Sequence, residues 1–324
     1  MRRLAVTALL TATTLLAATA CGGNSSNNTS PTRAAPGQPD KVAAGVIAIV
    51  DVAPIYLGKQ KGFFSSRNID LSLETSQGGA AIVPGVVSGQ FQFGFSNMTS
   101  LILAKSRGLP IKVVANGVAS TGKDGADFSA VLVKGDSPTQ SAKDLAGKKV
   151  AVNTLKNIGD TTVRASVRKA GGDPSGIQFV ELGFPDQPAA LAAGRVDAIW
   201  VVEPFVTAAK GQGARVVASN YVDAAANLTV ATYFTSQDLI AKNPDLVKRF
   251  KEAMAESLAY ANAHPDEVRQ IITTYTQITA DVTAKITLPA WPAEVNKASV
   301  QTLTDLAVQD KLLDKAPALD DLIP

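Results

Sequence analysis

The chain has one cysteine, Cys21, and one histidine, His264, in 324 residues. A single thiol forms no disulfide within the chain, so the folded part relies on burial. The same scarcity removes a Cys/His metal cluster and any Ser–His–Asp or Cys–His relay away from His264. That histidine lies in Asn262-Ala263-His264-Pro265-Asp266-Glu267, where a following proline and acids mark a helix start, so it reads as a surface or capping residue. There is no GxxxxGK[ST] loop and no GxGxxG after a strand, which excludes the commonest phosphate-loop and dinucleotide sites. Carboxylate-only catalysis stays open. No metal or cofactor is expected.

An excess of one charge is also missing. The chain carries 31 basic and 28 acidic residues. Residues 1–20 hold two of the basic and none of the acidic ones, so their removal leaves +1. That balance argues against nucleic acid as a partner.

What is present begins with a leader. Arg2-Arg3 is followed by an uncharged apolar stretch from Leu4 to Ala20 and the small residues Ala18-Thr19-Ala20 before Cys21. This is a secretory signal, too short for a span of ~20 apolar residues. A cysteine at the cut resembles the lipobox of bacterial lipoproteins, with Ala18 where leucine is usual. The resemblance implies lipidation of Cys21 and an extracytoplasmic, membrane-anchored protein. Residues 22–39 are Gly, Asn, Ser, Thr, Pro and Gln-rich, a flexible linker with a reach of roughly 23 Å.

The remainder repeats itself. Val46-Ile47-Ala48-Ile49-Val50 predicts a strand, 56–64 a helix, Ile69-Asp70-Leu71-Ser72-Leu73-Glu74 a strand, 80–87 a helix stopped by Gly89, and Gln90-Phe91-Gln92-Phe93-Gly94-Phe95 a strand. The order recurs as a strand at Val150-Ala151-Val152, a helix over 161–170, a strand over 177–182, a helix over 188–193 stopped by Gly194, and a strand over 195–200. Val46 to Val150 is 104 residues and Gly89 to Gly194 is 105, which predicts two similar α/β lobes. Ala130-Val131-Leu132-Val133 and Leu228-Thr229-Val230-Ala231-Thr232-Tyr233 flank the second unit and predict two crossover strands around a hinged cleft. The domains read as a signal peptide at 1–20, anchor and linker at 21–42, lobe 1 at 43–132 plus 233–324, and lobe 2 at 133–232. Helices are expected from Asn243-Pro244, with Leu246, Phe250, Met254 and Leu258 forming an apolar stripe, from Pro265, and over 293–313.

Several stretches carry a family likeness: Pro54-Ile55-Tyr56-Leu57-Gly58-Lys59-Gln60-Lys61-Gly62-Phe63-Phe64, Ser88-Gly89-Gln90-Phe91-Gln92-Phe93-Gly94, Gly108-Leu109-Pro110-Ile111-Lys112-Val113-Val114-Ala115, Asp144-Leu145-Ala146-Gly147-Lys148-Lys149-Val150-Ala151-Val152 and Trp200-Val201-Val202-Glu203-Pro204-Phe205. Together, over residues 43 to about 290, they resemble the substrate-binding proteins of ABC importers for nitrate, sulfonates and taurine, a group that includes pyrimidine-precursor binders of thiamine salvage. The resemblance implies a type II periplasmic-binding-protein fold. It also implies a monomer that captures a small solute and delivers it to an ABC permease and ATPase. Some relatives of the pyrimidine binders look enzymatic, using a histidine and a cofactor-bearing lysine in the cleft. Here the only histidine, His264, falls in the helical tail, so no enzyme is expected. A sensory module is the further alternative.

In doubly wound sheets ligands meet the loops after the strands' carboxyl ends. Those loops, with Tyr56 and Tyr233 as ring-stacking candidates, supply the candidate site: Asp51, Ser96 and Asn97, Asn116, Asn153 and Asn157, Phe184 and Asp186, and Glu203. Ser96, Asn97, Thr99, Asn153, Thr154 and Asn157 offer neutral hydrogen bonds, with capping as the alternative role. Asp160 and Asp186 are expected to cap helices, and Trp200 to be core. Asp51 and Glu203, if they face the ligand, disfavour a simple anion and favour an amine or protonatable heterocycle, with Phe184, Tyr56, Tyr233 and Phe205 available to stack a ring. A taurine-like zwitterion or an aminopyrimidine satisfies both helix termini and carboxylates, and the nitrogen-containing ligand is favoured.

Overall fold

The computed structural model describes residues 38–324. The leader, Cys21 and nearly all of the linker lie outside the described residues. Ten strands follow: β1 (Asp40–Val46), β2 (Ile69–Thr75), β3 (Phe93–Asn97), β4 (Ile111–Ala119), β5 (Ser129–Lys134), β6 (Lys149–Val152), β7 (Gln178–Glu181), β8 (Ala198–Val202), β9 (Ala214–Ala218) and β10 (Thr229–Ser236). They form two sheets in the orders β2-β1-β3-β10-β4 and β7-β6-β8-β5-β9. β1 pairs in parallel with β2 and β3, and β10 antiparallel with β3 and β4. β6 pairs in parallel with β7 and β8, and β5 antiparallel with β8 and β9.

The internal echo is therefore a repeated topology. In each sheet the antiparallel strand comes from the other side of a crossing: β5 follows β4 yet enters the second sheet, and β10 follows β9 yet returns to the first. The crossings fall at residues 120–128 and 219–228, ahead of both predicted crossover strands. Residues 129–132 therefore belong to the second sheet and 229–232 to the first. A third segment spans the same region: Ala290 and Ala119 exchange backbone hydrogen bonds, and the Thr287 N–H donates to Glu203 Oε1 at 3.2 Å.

Three predicted strands are displaced. β1 occupies Asp40–Val46, not 46–50, and residues 47–52 form a buried loop and a short 3-10 turn after it. Asp40-Lys41 is polar, but the first sits against Arg249, which lets a strand begin in apparent linker. β3 and β8 each start about three residues later than the alternation predicts. The helices fall closer. Gly79–Ser88 ends at Gly89, whose φ of 82° is open to glycine without strain. Asn243 caps Pro244–Ala263 by accepting from the Leu246 N–H.

Packing follows the patterns. Phe250, from the long helix Pro244–Ala263, stacks on Phe93 with centroids 3.7 Å apart and meets Tyr233 edge-on, so that helix covers the first sheet. Met254 is core, as its stripe predicts. In lobe 2, Trp200 is core and its indole N–H donates to Ser129 Oγ, which donates to Asn220 Oδ1, while Asn220 Nδ2 donates to Thr162 Oγ1. Buried polar groups there satisfy one another, which is the ordinary state of a core.

Candidate functional site

The parallel strands β1, β2 and β3 run the same way in the first sheet, and β6, β7 and β8 in the second. The loops after their carboxyl ends meet between the lobes. Asn153 Nδ2, after β6, donates to the Gln77 carbonyl after β2 at 3.3 Å. Ser100 and Asn157 are joined side chain to side chain, with Asn157 Nδ2 donating to Ser100 Oγ at 2.9 Å. A Cβ on Gly78 would lie 2.7 Å from Thr154 Oγ1, so glycine is what allows this approach.

Among the described residues, nine buried side-chain atoms have no partner, and four of them lie beyond the parallel strands. Asp51 Oδ1 after β1, Thr99 Oγ1 after β3, Asp160 Oδ1 after β6 and Gln187 Oε1 after β7 each lie in the loop or first helical turn beyond a parallel strand. Tyr233 OH, on β10, also has no partner. In the core such groups cost about 1–3 kcal/mol each, so their gathering at strand ends marks a place for a polar ligand.

Asp51 is the centre of this group. It is 2 % exposed, and the Trp291 indole N–H holds its carbonyl at 3.1 Å. Burial pushes its carboxyl up to about 8, and the neighbouring Asp127 adds to the rise. Three of the five tyrosines feel its charge, and a fourth, Tyr56, stacks on one of them. Tyr233 and Tyr221 have phenols pushed up first by burial and then by the Asp51 charge. Tyr275 is raised by burial, then by Tyr56 and Asp51. Tyr56 stacks face to face on Tyr275 with centroids 4.0 Å apart. Tyr221, Tyr275 and Asp127 were not among the sequence candidates. The tyrosines' scarcity is the signal that could have drawn attention to them; the pairing of 51 with 221 and 275 is set by remote folding.

Other candidates take different places. Glu203 is engaged within the protein: Oε2 accepts the Thr207 N–H at 3.0 Å, and Oε1 accepts the Thr207 hydroxyl at 2.7 Å and the Thr287 N–H. Burial raises its pKa against these bonds, and among the described residues it takes part in no ion pair. Asn116 turns away from the loops, its Nδ2 donating to the Pro292 and Glu294 carbonyls in a groove beside Lys251 and Lys297. Asp186 is exposed and makes no capping hydrogen bond. Asp160 lies inside its helix and accepts the Lys156 N–H, while Asn157 holds the cap; burial raises Asp160 to about 6.

Asn97 caps the helix Met98–Ser106 through the Ser100 N–H. Ser96 is fully buried, its Oγ so near Gly79 that a Cβ there would lie 2.2 Å away. Phe184 packs against Trp200 and Phe205, and Tyr233 against Phe95, so both serve the core; only the Tyr233 hydroxyl is left without a partner. His264 stacks on Tyr260 and its Nδ1 contacts the Tyr260 carbonyl between two helices, the capping place expected of it.

The family model described as NMT1/THI5 like matches residues 49–268. The chain is 26% identical over 230 residues to the riboflavin-binding protein RibY of Chloroflexus aurantiacus, covering 70% of this chain and 63% of that one. It is 24% identical over 225 residues to the 4-amino-5-hydroxymethyl-2-methylpyrimidine phosphate synthase THI12 of Saccharomyces cerevisiae, 65% and 64% of the two chains. The matched region thus spans a little under two thirds of these relatives. In fold it is similar to the periplasmic aliphatic sulphonate binding protein SsuA from Escherichia coli, with a TM-score of 0.70, 21% identity, and 86% and 95% of the chains covered. The repeated sheets, the meeting strand ends and these matches lead to one statement: the chain belongs to the NMT1/THI5-like family and has a periplasmic-binding-protein fold.

Proposed function

We propose that this protein is an extracytoplasmic solute-binding lipoprotein, anchored through Cys21, that closes its two lobes on a small nitrogen-containing organic solute and hands it to an ABC importer. The observation that carries the reading is the set of unpartnered buried polar atoms at Asp51, Thr99, Asp160 and Gln187, all beyond parallel strands where the lobes meet. With Glu203 engaged by Thr207 and Thr287, the case for a nitrogen-bearing ligand rests on Asp51 and the tyrosines around it. The relatives named for riboflavin and for a pyrimidine are consistent with a ring.

A pyrimidine-forming enzyme is the weaker reading. His264, the one histidine such chemistry could use, is held against the Tyr260 ring and carbonyl at a helix junction. Uptake of labelled solute by cells lacking the protein separates transport from sensing. Loss of uptake, restored by the wild-type chain and not by Asp51→Ala, is expected. Unchanged uptake would leave a sensory role. Cys21→Ala is expected to move the protein from the membrane to the soluble fraction, and retention there would contradict the anchor.

A further inference from the structure

We propose that Asp51 meets the ligand as an uncharged carboxyl, giving one hydrogen bond and taking another from a neutral nitrogen heterocycle that carries a donor beside an acceptor. The inference rests on the solute-binding reading above and adds the chemistry of recognition.

The argument begins with what faces Asp51. The helix that follows it, Ala53–Gln60, brings Tyr56, which stacks on Tyr275. β10 brings Tyr233, the short helix Asn220–Ala224 brings Tyr221, and the segment after Pro265–Ile272 brings Tyr275. The one charged side chain acting on it is another acid, Asp127, itself held by Ser120 Oγ and the Thr121 N–H. Asp51 takes part in none of the ion pairs among the described residues. The loop of Asp51 also receives Glu203, but through its backbone: the Val50 N–H donates to the Glu203 carbonyl.

A carboxylate without a cation in such a setting is costly, and retention of the proton removes the cost. Asp51 is 2 % exposed and its Oδ1 has no hydrogen-bond partner, and this burial pushes the carboxyl up to about 8. An uncharged carboxyl presents an O–H and a C=O side by side. Its complement is an acceptor beside a donor, as in N=C–NH2 of an aminopyrimidine or the lactam edge of uracil. Nitrate offers acceptors only and leaves the carbonyl unpaired. A quaternary ammonium offers no acceptor and leaves the O–H unpaired. Unpaired buried groups of this kind give the strongest discrimination a polar site achieves.

Asparagine presents the same donor–acceptor pair at every pH. The test is therefore calorimetric titration of the full chain and its Asp51→Asn and Asp51→Ala variants with 4-amino-2-methylpyrimidine and with uracil, at pH 7 and pH 9. Circular dichroism checks folding of each variant. For the wild type, whichever heterocycle binds is expected to lose about tenfold in affinity between pH 7 and pH 9, as the carboxyl gives up its proton. Asp51→Asn is expected to bind within about threefold of wild type at pH 7, with no loss at pH 9, and Asp51→Ala to bind at least tenfold more weakly at both. The proposal is overturned if Asp51→Asn weakens binding as much as a folded Asp51→Ala, or if affinity rises with pH, since a carboxylate would then be the recognised form. Binding of taurine or nitrate with neither heterocycle bound overturns it while leaving the solute-binding reading intact. If none of these solutes binds, the proposal is overturned, and the solute-binding reading is decided separately by the uptake experiment.

Discussion

Two buried carboxyls at strand ends, Asp51 and Glu203, have opposite surroundings, and each leads to a separate expectation. Glu203 is met by three donors from Thr207 and Thr287, so its removal strips partners from the end of β8. Glu203→Ala is expected to destabilise the fold by about 1–3 kcal/mol in a denaturant titration, with the fold intact. A stability unchanged from wild type would contradict the capping role. Asp51 has an Oδ1 without a partner and keeps its proton in the fold up to about 8. Its unfolded counterpart ionises near 4, so the contribution of the protonated form is fully present below that pH and is lost as pH rises through about 8. Between pH 5 and 8 the Asp51→Asn variant is therefore expected to lose less stability than wild type, read from thermal melts across that range. Parallel melting profiles would remove Asp51 as the titrating group. At this scale the sequence places both residues in loops after strands, because chain order fixes that. It cannot tell them apart, because their partners lie 4 and 84 residues away for Glu203 and 240 residues away for the indole that fixes Asp51.

The helix Ile158–Lys169 is the element that ties the lobes together at both of its ends. Asn157 at its start bonds Ser100 of the first lobe, and Arg168 near its end pairs with Asp310, which follows the helix Lys297–Gln309. Opening the cleft there means breaking the Asn157–Ser100 pair. Asn157→Ala and Ser100→Ala are each expected to weaken solute binding by about 0.5–1.5 kcal/mol, a few-fold to roughly tenfold in Kd, and by the same factor for every solute. Non-additivity in the double variant checks the direct contact, and fully additive losses would contradict it. Other helices were legible from their ends, since the stop at Gly89 and the start cap at Asn243 act locally. Strand starts were less so. Val46 to Val50 reads as a strand because it is apolar, yet its burial comes from lying beneath the lobe junction, where Val50 bonds Glu203. The strand proper opens on Asp40-Lys41, whose polarity is offset by Arg249 from 209 residues away.

As a whole, the molecule is one sheet plan used twice, with β5 and β10 exchanged between the copies. The offset of the glycine stops and strands made the two lobes legible, since repeated topology repeats its turn chemistry. The exchange of strands was legible only as two runs flanking a unit. That each lies antiparallel between the third and fourth strands of its sheet is a matter of remote pairing, which no local pattern encodes. The central claim is that this fold captures a small nitrogen-bearing solute between its lobes. It is tested most directly by the shift in melting temperature on adding aminopyrimidines, other neutral heterocycles, taurine, alkanesulfonates and nitrate in turn, since a ligand of the native state raises that temperature by mass action. The account predicts a rise with the heterocycles and none with nitrate. A rise with nitrate or simple alkanesulfonates alone would contradict it, and would mean that the helix N-termini define the site in place of Asp51.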